Sequence, residues 1–586
     1  MLISFPFIEA QSQLYSLHLL VQSWIRNRVP KEEKTNLYHQ ARALLSRSLA
    51  QWHVKSNTLH ASELKLQSTY YEDEYIRFIL VFAHVGNWEE MEKLLLVQTD
   101  WRTAMLGAEK PATLVSMGNL AFSYMKQGRW DEAEKLCGNV INAFKAELGS
   151  NHPETLSNMG NLAYTFRNQG RWGEAEKLEM DVMHAFKAEL GLGHLKTLAS
   201  MGNLASTYRN QGRWNEAEEL DVDVMNARKA KLGSDHPNTL TSMSNLACTY
   251  QNQGRWDEAE QLFVDVVNAS KAKLGSDHPD TLISIGNLAC IYRDQGRCDE
   301  AELLLVDVMN ALIAKFGSDH PDTLTSIANL ASTYKDQGRW NEAEKLCVDV
   351  MDVRKAKLGS DHPHTLSSMA NLACTYRNQG RWGEAEKLFV DVMNAFKAKL
   401  GSDHPVTLSS MGNLASIYKN QGRWDDAEKL EDDVMNMRKV KLQSDHPHTL
   451  SSMANLACTY RNQGRWSEAE KLEVDVMNAF KAKLGSDHPD TLTSMGNLAC
   501  TYRNQGRWGE AEKLEVDMVM NAFKANLGSD HPDTLSSMAN LASTYSNQGR
   551  WSEAETLEVD VMNATKVKIG SDHPETLTSM GNLASI

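Results

Sequence analysis

Apolar residues recur along this chain in two alternating stripes. Between Pro153 and Asn168, the residues Leu156, Met159, Leu162, Ala163 and Phe166 stand at offsets of 0, 3, 6, 7 and 10, the spacing that lines one face of an α-helix. Gly170 ends this segment, with Asn168 and Gln169 as its last turn. After Arg171, a second stripe follows in Trp172, Ala175, Leu178, Val182, Ala185 and Phe186, and stops at Leu190-Gly191. We term the two segments helix A and helix B. The next helix A opens at Asp-His-Pro, where proline occupies the first turn without losing a hydrogen bond and Asp or His can cap. Two antiparallel helices with short turns cannot bury both stripes alone, so neighbouring pairs must stack.

The pair recurs every 42 residues, punctuated by Gln-Gly-Arg-Trp, whose Trp falls at 130, 172, 214, 256, 340, 382, 424, 466, 508 and 551, with Cys298 in the remaining place. Complete copies begin at Pro111, Pro153, Leu195, Pro237, Pro279, Pro321, Pro363, Pro405, Pro447, Pro489 and Pro532, which predicts eleven repeats over residues 111–573. Gly86-Asn87-Trp88 stands 42 residues ahead of Gly128-Arg129-Trp130, so residues 69–110 read as a degenerate copy. Residues 574–586 read as a helix A cut before its partner, as in a truncated chain, and residues 1–68 as a linker-like helical segment left from a preceding domain. Glu515 to Met520 holds one residue more than the Glu-Val-Asp-Val-Met of its neighbours, an insertion most cheaply absorbed as a π-bulge near 517–520. Self-similarity at this period predicts an all-α, right-handed superhelical solenoid, an architecture that offers a surface rather than a reaction centre.

Composition narrows the function. Hydrophobic residues make up 42% and charged ones 23%, as in a chain that folds. A net charge of −15 argues against nucleic acid as a partner, because backbone binding needs a concentrated basic surface. No run of 18 apolar residues exists, and Met1 to Ala10 carries Pro6 and Glu9 without a basic leader, so no membrane partner is expected. The eight cysteines form no CxxC pair, and five of them share one repeat position, as expected of reduced thiols in a cytoplasmic protein. No phosphate-binding loop, nucleophile elbow or zinc-protease motif occurs, so the reading is of a non-enzyme without cofactor or metal. Asp-His-Pro reads as a cap, since no third ligand lies within reach of a metal. Gln-Gly-Arg-Trp reads as structural: Gly makes the turn, Trp packs under the next helix as core, and Arg pairs with a carboxylate or stacks on the Trp. Cys298 is then expected to leave its junction underpacked.

Asn-Leu-Ala, an aromatic residue four positions after that Leu, then Gly, an aromatic and Glu-Ala-Glu together resemble the tetratricopeptide repeat in its long form, as in kinesin light chains and fungal NB-ARC/tetratricopeptide proteins. The resemblance covers residues 69–586. Tyr15 to His18 with Leu20 to Gln22 resembles the segment that joins the nucleotide-binding domain to the repeats of those fungal proteins. The family implies that helix A lines a concave groove and places there Asn161, Asn203, Asn245, Asn287, Asn329, Asn371, Asn413, Asn455 and Asn497, whose amides suit the backbone of an extended peptide. The residue after the helix-A aromatic adds Arg167, Arg209, Arg293, Lys335, Arg377, Lys419, Arg461 and Arg503, while the acids of helix B are expected outside. The implied function is a non-enzymatic scaffold that binds an extended, acidic or phosphorylated segment of a protein partner. Two alternatives stand beside it: the sensor arm of an NB-ARC signalling protein lacking its nucleotide-binding domain, and a kinesin-light-chain-like cargo adaptor. The Asn residues are equally able to bond neighbouring helix ends as a structural ladder, and near-identical copies also arise by recent duplication.

Overall fold

The computed structural model describes residues 88–586, apart from 487, 517–531, 571–573 and 586, together with Ile79. The expectations for residues 1–68 and 517–520 therefore lie outside the described residues. The chain divides into two compact units at Val81 and Phe82; of the first, Ile79 alone is described, a buried helical residue, and the other described residues all belong to the second.

From Trp88–Leu106 onwards, helices A of 16 residues alternate with helices B of 19, as in Pro153–Asn168 and Trp172–Leu190. Among the described residues no strand occurs. The boundaries follow from a few side chains. His152 caps helix A by accepting a hydrogen bond from the Glu154 N–H on its Nδ1 at 3.2 Å, and Pro153 fills the first turn. At the other end Gly170 adopts φ of 71°, which lets the Gly170 and Arg171 N–H groups reach the Arg167 and Phe166 carbonyls and satisfy the last turn. Helix B stops at a second positive-φ residue, Gly191, whose carbonyl accepts from the buried Thr197 hydroxyl at 2.9 Å. One copy has Gln443 at this place with φ of 75°. The cores then form between repeats: one cluster joins Ala259 and Phe263 of one helix B to Leu282, Leu288 and Ile291 of the next helix A and Val308 beyond it. Trp508–Leu514 passes into π-helical geometry at Glu515 and Val516, so the extra residue begins to distort the helix just ahead of the expected place.

Two details correct the sequence reading. The Trp of Gln-Gly-Arg-Trp is not core: it is the first residue of helix B, at the edge of the ribbon of helices, with Trp382, Trp466 and Trp551 exposed to 40%, 41% and 54%. In two copies its indole N–H donates to the end of helix A, from Trp172 to the Arg167 carbonyl at 3.1 Å and from Trp214 to the Arg209 carbonyl at 3.3 Å. Cys298 therefore replaces an edge residue, and its helix, Cys298–Phe316, runs the full 19 residues. The arginine of the phrase stacks on the helix-A tyrosine and not on the Trp, with the Arg213 guanidinium 4.0 Å from the Tyr208 ring.

The solenoid also returns onto itself. The Nε2 atoms of His404, His446 and His488 lie 2.8, 3.2 and 3.5 Å from the carbonyls of Asn168, Asn210 and Asn252, each pair 236 residues apart, between five and six repeats. Trp172 stacks on His446 and Trp214 on His488, both with centroids 5.6 Å apart. Pro447 presses on Gly212 so closely that a Cβ there would lie 2.6 Å from its ring, and Pro363, Pro405 and Pro489 close on Gly128, Gly170 and Gly254 in the same way. The His-Pro edge of one superhelical turn thus sits on the Gly-Trp edge of the turn before.

These histidines are neutral by construction, because Nδ1 accepts the capping N–H while Nε2–H donates to the carbonyl across the turn. Burial pushes His446 down to about 3 and lowers His404 and His488 too; nearby Lys483 and Lys441 act in the same direction, and Asp445, Asp403 and Asp490 oppose it. Their folded pKa lies below the unfolded value near 6.5, so the stability they contribute is present above that pH and is lost as pH falls below it. Thermal or urea melts between pH 7 and 5 are expected to weaken by up to about 1.4 kcal/mol per pH unit for each histidine. The triple variant H404N/H446N/H488N, which keeps capping side chains, is expected to flatten that slope. Gln443→Gly is expected to stabilise the chain by about 1 kcal/mol in urea melts, since it relieves the positive φ.

Candidate functional site

The helix-A residues singled out by sequence fall into two groups. The asparagines are free: Asn203, Asn371 and Asn455 are exposed, the other six candidates half-buried, and among the described residues none of these nine side-chain amides bonds a neighbouring helix. That removes the structural-ladder alternative for them. The basic residues are different. Arg167 pairs with Glu179 at 3.1 Å, Arg209 with Asp221 at 2.6 Å, Lys419 with Glu431 at 2.8 Å, Arg461 with Glu473 at 3.0 Å and Arg503 with Glu515 at 3.3 Å. In each pair the acid is nearly buried and the base only 12–14% exposed.

Each of these carboxylates comes from helix B of the same repeat, twelve residues after its base, and reaches into the next. The Thr207 hydroxyl donates to Glu179 at 2.6 Å and the Thr249 hydroxyl to Asp221 at 2.7 Å. The bases reach forward as well: Arg167, Arg461 and Arg503 donate to the carbonyls of Asn203, Asn497 and Asn540 at 3.0, 3.0 and 2.7 Å. Sequence reasoning set the Asn and Arg along one groove; the structure brings the Arg of one repeat to the backbone carbonyl of the Asn of the next. Burial pushes Glu473 up to about 7 against the opposing pull of Thr501 and Arg461. A buried pair of this kind holds repeats in register and has little charge left for a ligand.

Three consecutive repeats depart from this pattern. Twelve residues after Arg293, Lys335 and Arg377 stand the buried Leu305, Cys347 and Phe389, so no helix-B carboxylate meets these bases. Arg293 turns to Asp294 and Asp336, each at 3.7 Å. Among the described residues, Lys335 and Arg377 form no ion pair. They occupy adjacent helices A, Pro321–Asp336 and Pro363–Asn378, the second of which carries the exposed Asn371. The signal for this split was in the sequence, as the alternation of Glu or Asp with Phe, Leu or Cys at one helix-B position.

The acids of Glu-Ala-Glu are not a free outer surface either. Glu176 accepts from Gln211 at 2.8 Å and Arg213 at 2.7 Å of the following repeat, while Arg213 also clasps Glu216 in its own helix B. Those hydrogen bonds hold Glu216 below the ordinary carboxylate range. Asp181 and Asp223 of the Asp-Val-Met phrase do remain exposed. The described cysteines are all free, and burial pushes the Cys137 thiol up to about 12. A cleft of about 660 Å³ opens between superhelical turns, lined by Trp214, Trp256, Lys483 and His488 among others and by none of the sequence-predicted residues. Among the described residues no group of three or more His, Cys, Asp or Glu is placed to hold a metal, and no helix is long and apolar enough to cross a membrane.

Family models described as tetratricopeptide repeat match residues 112–188, 196–272, 249–314, 322–398 and 375–439, and further ones of the same description match 449–490, 491–533 and 534–575. Similar solved structures include the nearly identical TPR-like repeats assigned to a kinesin light chain of Podosopora anserina. The chain is 33% identical to them over 35% of its length and 97% of theirs, with a TM-score of 0.31, and a point variant of the same repeats gives 34% identity over 34% and 95% with the same score. BtubC (BKLC) from P. vanneervenii is 16% identical over 40% of this chain and 92% of its own, with a TM-score of 0.31. No curated protein matches.

The paired repeats make a direct prediction. Arg461→Gln leaves Glu473 buried without its cation and is expected to cost about 3 kcal/mol in urea melts. Adding Glu473→Phe recreates the Gln251 and Phe263 combination of another repeat, and is expected to return stability to within about 1 kcal/mol of the parent. A double variant no more stable than the single one would show that the pair does more than satisfy itself.

Proposed function

Because the chain belongs to the tetratricopeptide repeat family, whose arrays are typically non-enzymatic protein-interaction scaffolds, we propose that it binds an extended, acidic or phosphorylated segment of a protein partner along its helix-A surface. The observation that carries this reading is the absence of an ion pair at Lys335 and Arg377 on adjacent helices A, the second of which also carries the exposed Asn371. Elsewhere the helix-A bases spend their charge on carboxylates, and a body of net charge −15 repels an acidic ligand, so recognition concentrates at repeats 321–404. There an amide offers both donor and acceptor to a peptide backbone while the two cations meet a carboxylate or phosphate. The sensor-arm and cargo-adaptor alternatives gain no residue of their own from this site.

Fluorescence polarisation with labelled nonapeptides rich in Asp, Glu or phosphoserine, against neutral controls, tests the proposal. The acidic peptides are expected to bind, with affinity that falls as salt rises, and N371A/R377A is expected to weaken them at least tenfold while leaving the melting curve unchanged. Unchanged binding by N371A/R377A, or equal binding of neutral peptides, would refute it.

A further inference from the structure

The turn-to-turn contact is made of two surfaces that also occur uncovered. On the His-Pro edge the histidine side chain is 38% exposed at His278, whereas His404 and His446, which the preceding turn covers, are 4% exposed. Leu192, Leu195 and Pro237 lie open on that edge as well. On the Gly-Trp edge the order reverses: Trp172 and Trp214 stack against the following turn, whereas Trp382, Trp466 and Trp551 are 40–54% exposed. Gly380, Gly422, Gly464, Gly506 and Gly549 likewise meet nothing within 4 Å at the place where Gly170 and Gly212 receive a proline.

The chain has therefore demonstrated, four times over, that these surfaces fit one another, and among the described residues a further set of each stands exposed. Their charges are complementary. Inside the chain Lys441 and Lys483 of one turn lie close enough to Glu174 and Glu216 of the turn before to help hold those carboxyls below their ordinary range. The same positions on the open edges are Lys231, Lys273 and Lys315 against Asp426, Glu468 and Glu510. We propose that the open Gly-Trp edge of one molecule docks on the open His-Pro edge of a second copy of this chain, reproducing between molecules the contact that joins successive turns within one. Such a contact is heterologous: each docked molecule presents both edges again, so association is open-ended and grows with concentration. Proline seated on glycine and histidine stacked on tryptophan supply the apolar part, and the Lys to Glu facing sets the polarity.

Sedimentation velocity of the full chain from about 1 to about 100 µM reads this directly, a range that spans ordinary self-association affinities. The weight-average mass is expected to climb from 65.7 kDa through dimers to larger species, and to fall back at high salt. Two charge-reversed variants separate the edges: K231E/K273E on the His-Pro edge and E468K/E510K on the Gly-Trp edge. Each alone is expected to associate at least tenfold more weakly, because its own edges now repel, and an equimolar mixture is expected to recover association, because the reversed edges match. Circular dichroism checks that both fold. A wild-type mass fixed at the monomer across the range, variants that associate as the parent does, or a mixture that stays monomeric would each overturn the proposal.

Discussion

The angle between successive repeats is held by one arginine. In Gln-Gly-Arg-Trp it stacks on the helix-A tyrosine of its own repeat, clasps an acid three residues on in helix B, and reaches 37 residues back to the second Glu of the preceding Glu-Ala-Glu. The neighbouring glutamine reaches that same Glu. Apolar stacking supplies the driving force for such an array but is tolerant of direction, whereas a planar guanidinium bonded to two carboxylates and a ring face is not. Because the clasp recurs with nearly the same geometry in each described repeat, the small rotation per repeat accumulates uniformly. Between five and six repeats later the ribbon meets itself in register, with histidine over tryptophan and proline over glycine.

Much of this was legible. The stripes at 3.6-residue spacing gave the helices, and Pro153, Gly170 and Gly191 gave their ends, because those residues act on the local backbone and need no tertiary context. What escaped was whatever depends on contacts beyond the helix pair. Trp172 sits in an apolar stripe, and periodicity does not reveal that the first residue of helix B stands at the rim of a ribbon. Arg167 and Glu179 lie on different helices, so their pairing is invisible to a helical wheel, although the matched change at Gln251 and Phe263 hinted at it. The 236-residue contact depends on a cumulative rotation that no local pattern encodes.

The candidate site shows the same division between what is repeated and what departs from repetition. The motif positions that look most like a basic channel are consumed by buried carboxylates in five of the eight cases, and so belong to the fold. Among those eight positions, the two bases without an ion pair are the ones whose helix-B acid has been replaced by Cys347 or Phe389. A groove of identical repeats would offer a peptide many equivalent registers, and a binding mode spread over registers has no unique orientation. Local loss of a carboxylate breaks that equivalence and fixes one place along the array.

A near-identical array also faces a hazard that a varied one does not. Any surface that packs against its own copy one superhelical turn away packs equally well against that copy in another molecule, since the groups and their spacing are the same. Natural sheets blunt the equivalent problem with charges and bulges at their edges. Here the charges at the edges are opposite, Lys273 on one and Glu468 on the other, so they favour the head-to-tail meeting instead of opposing it.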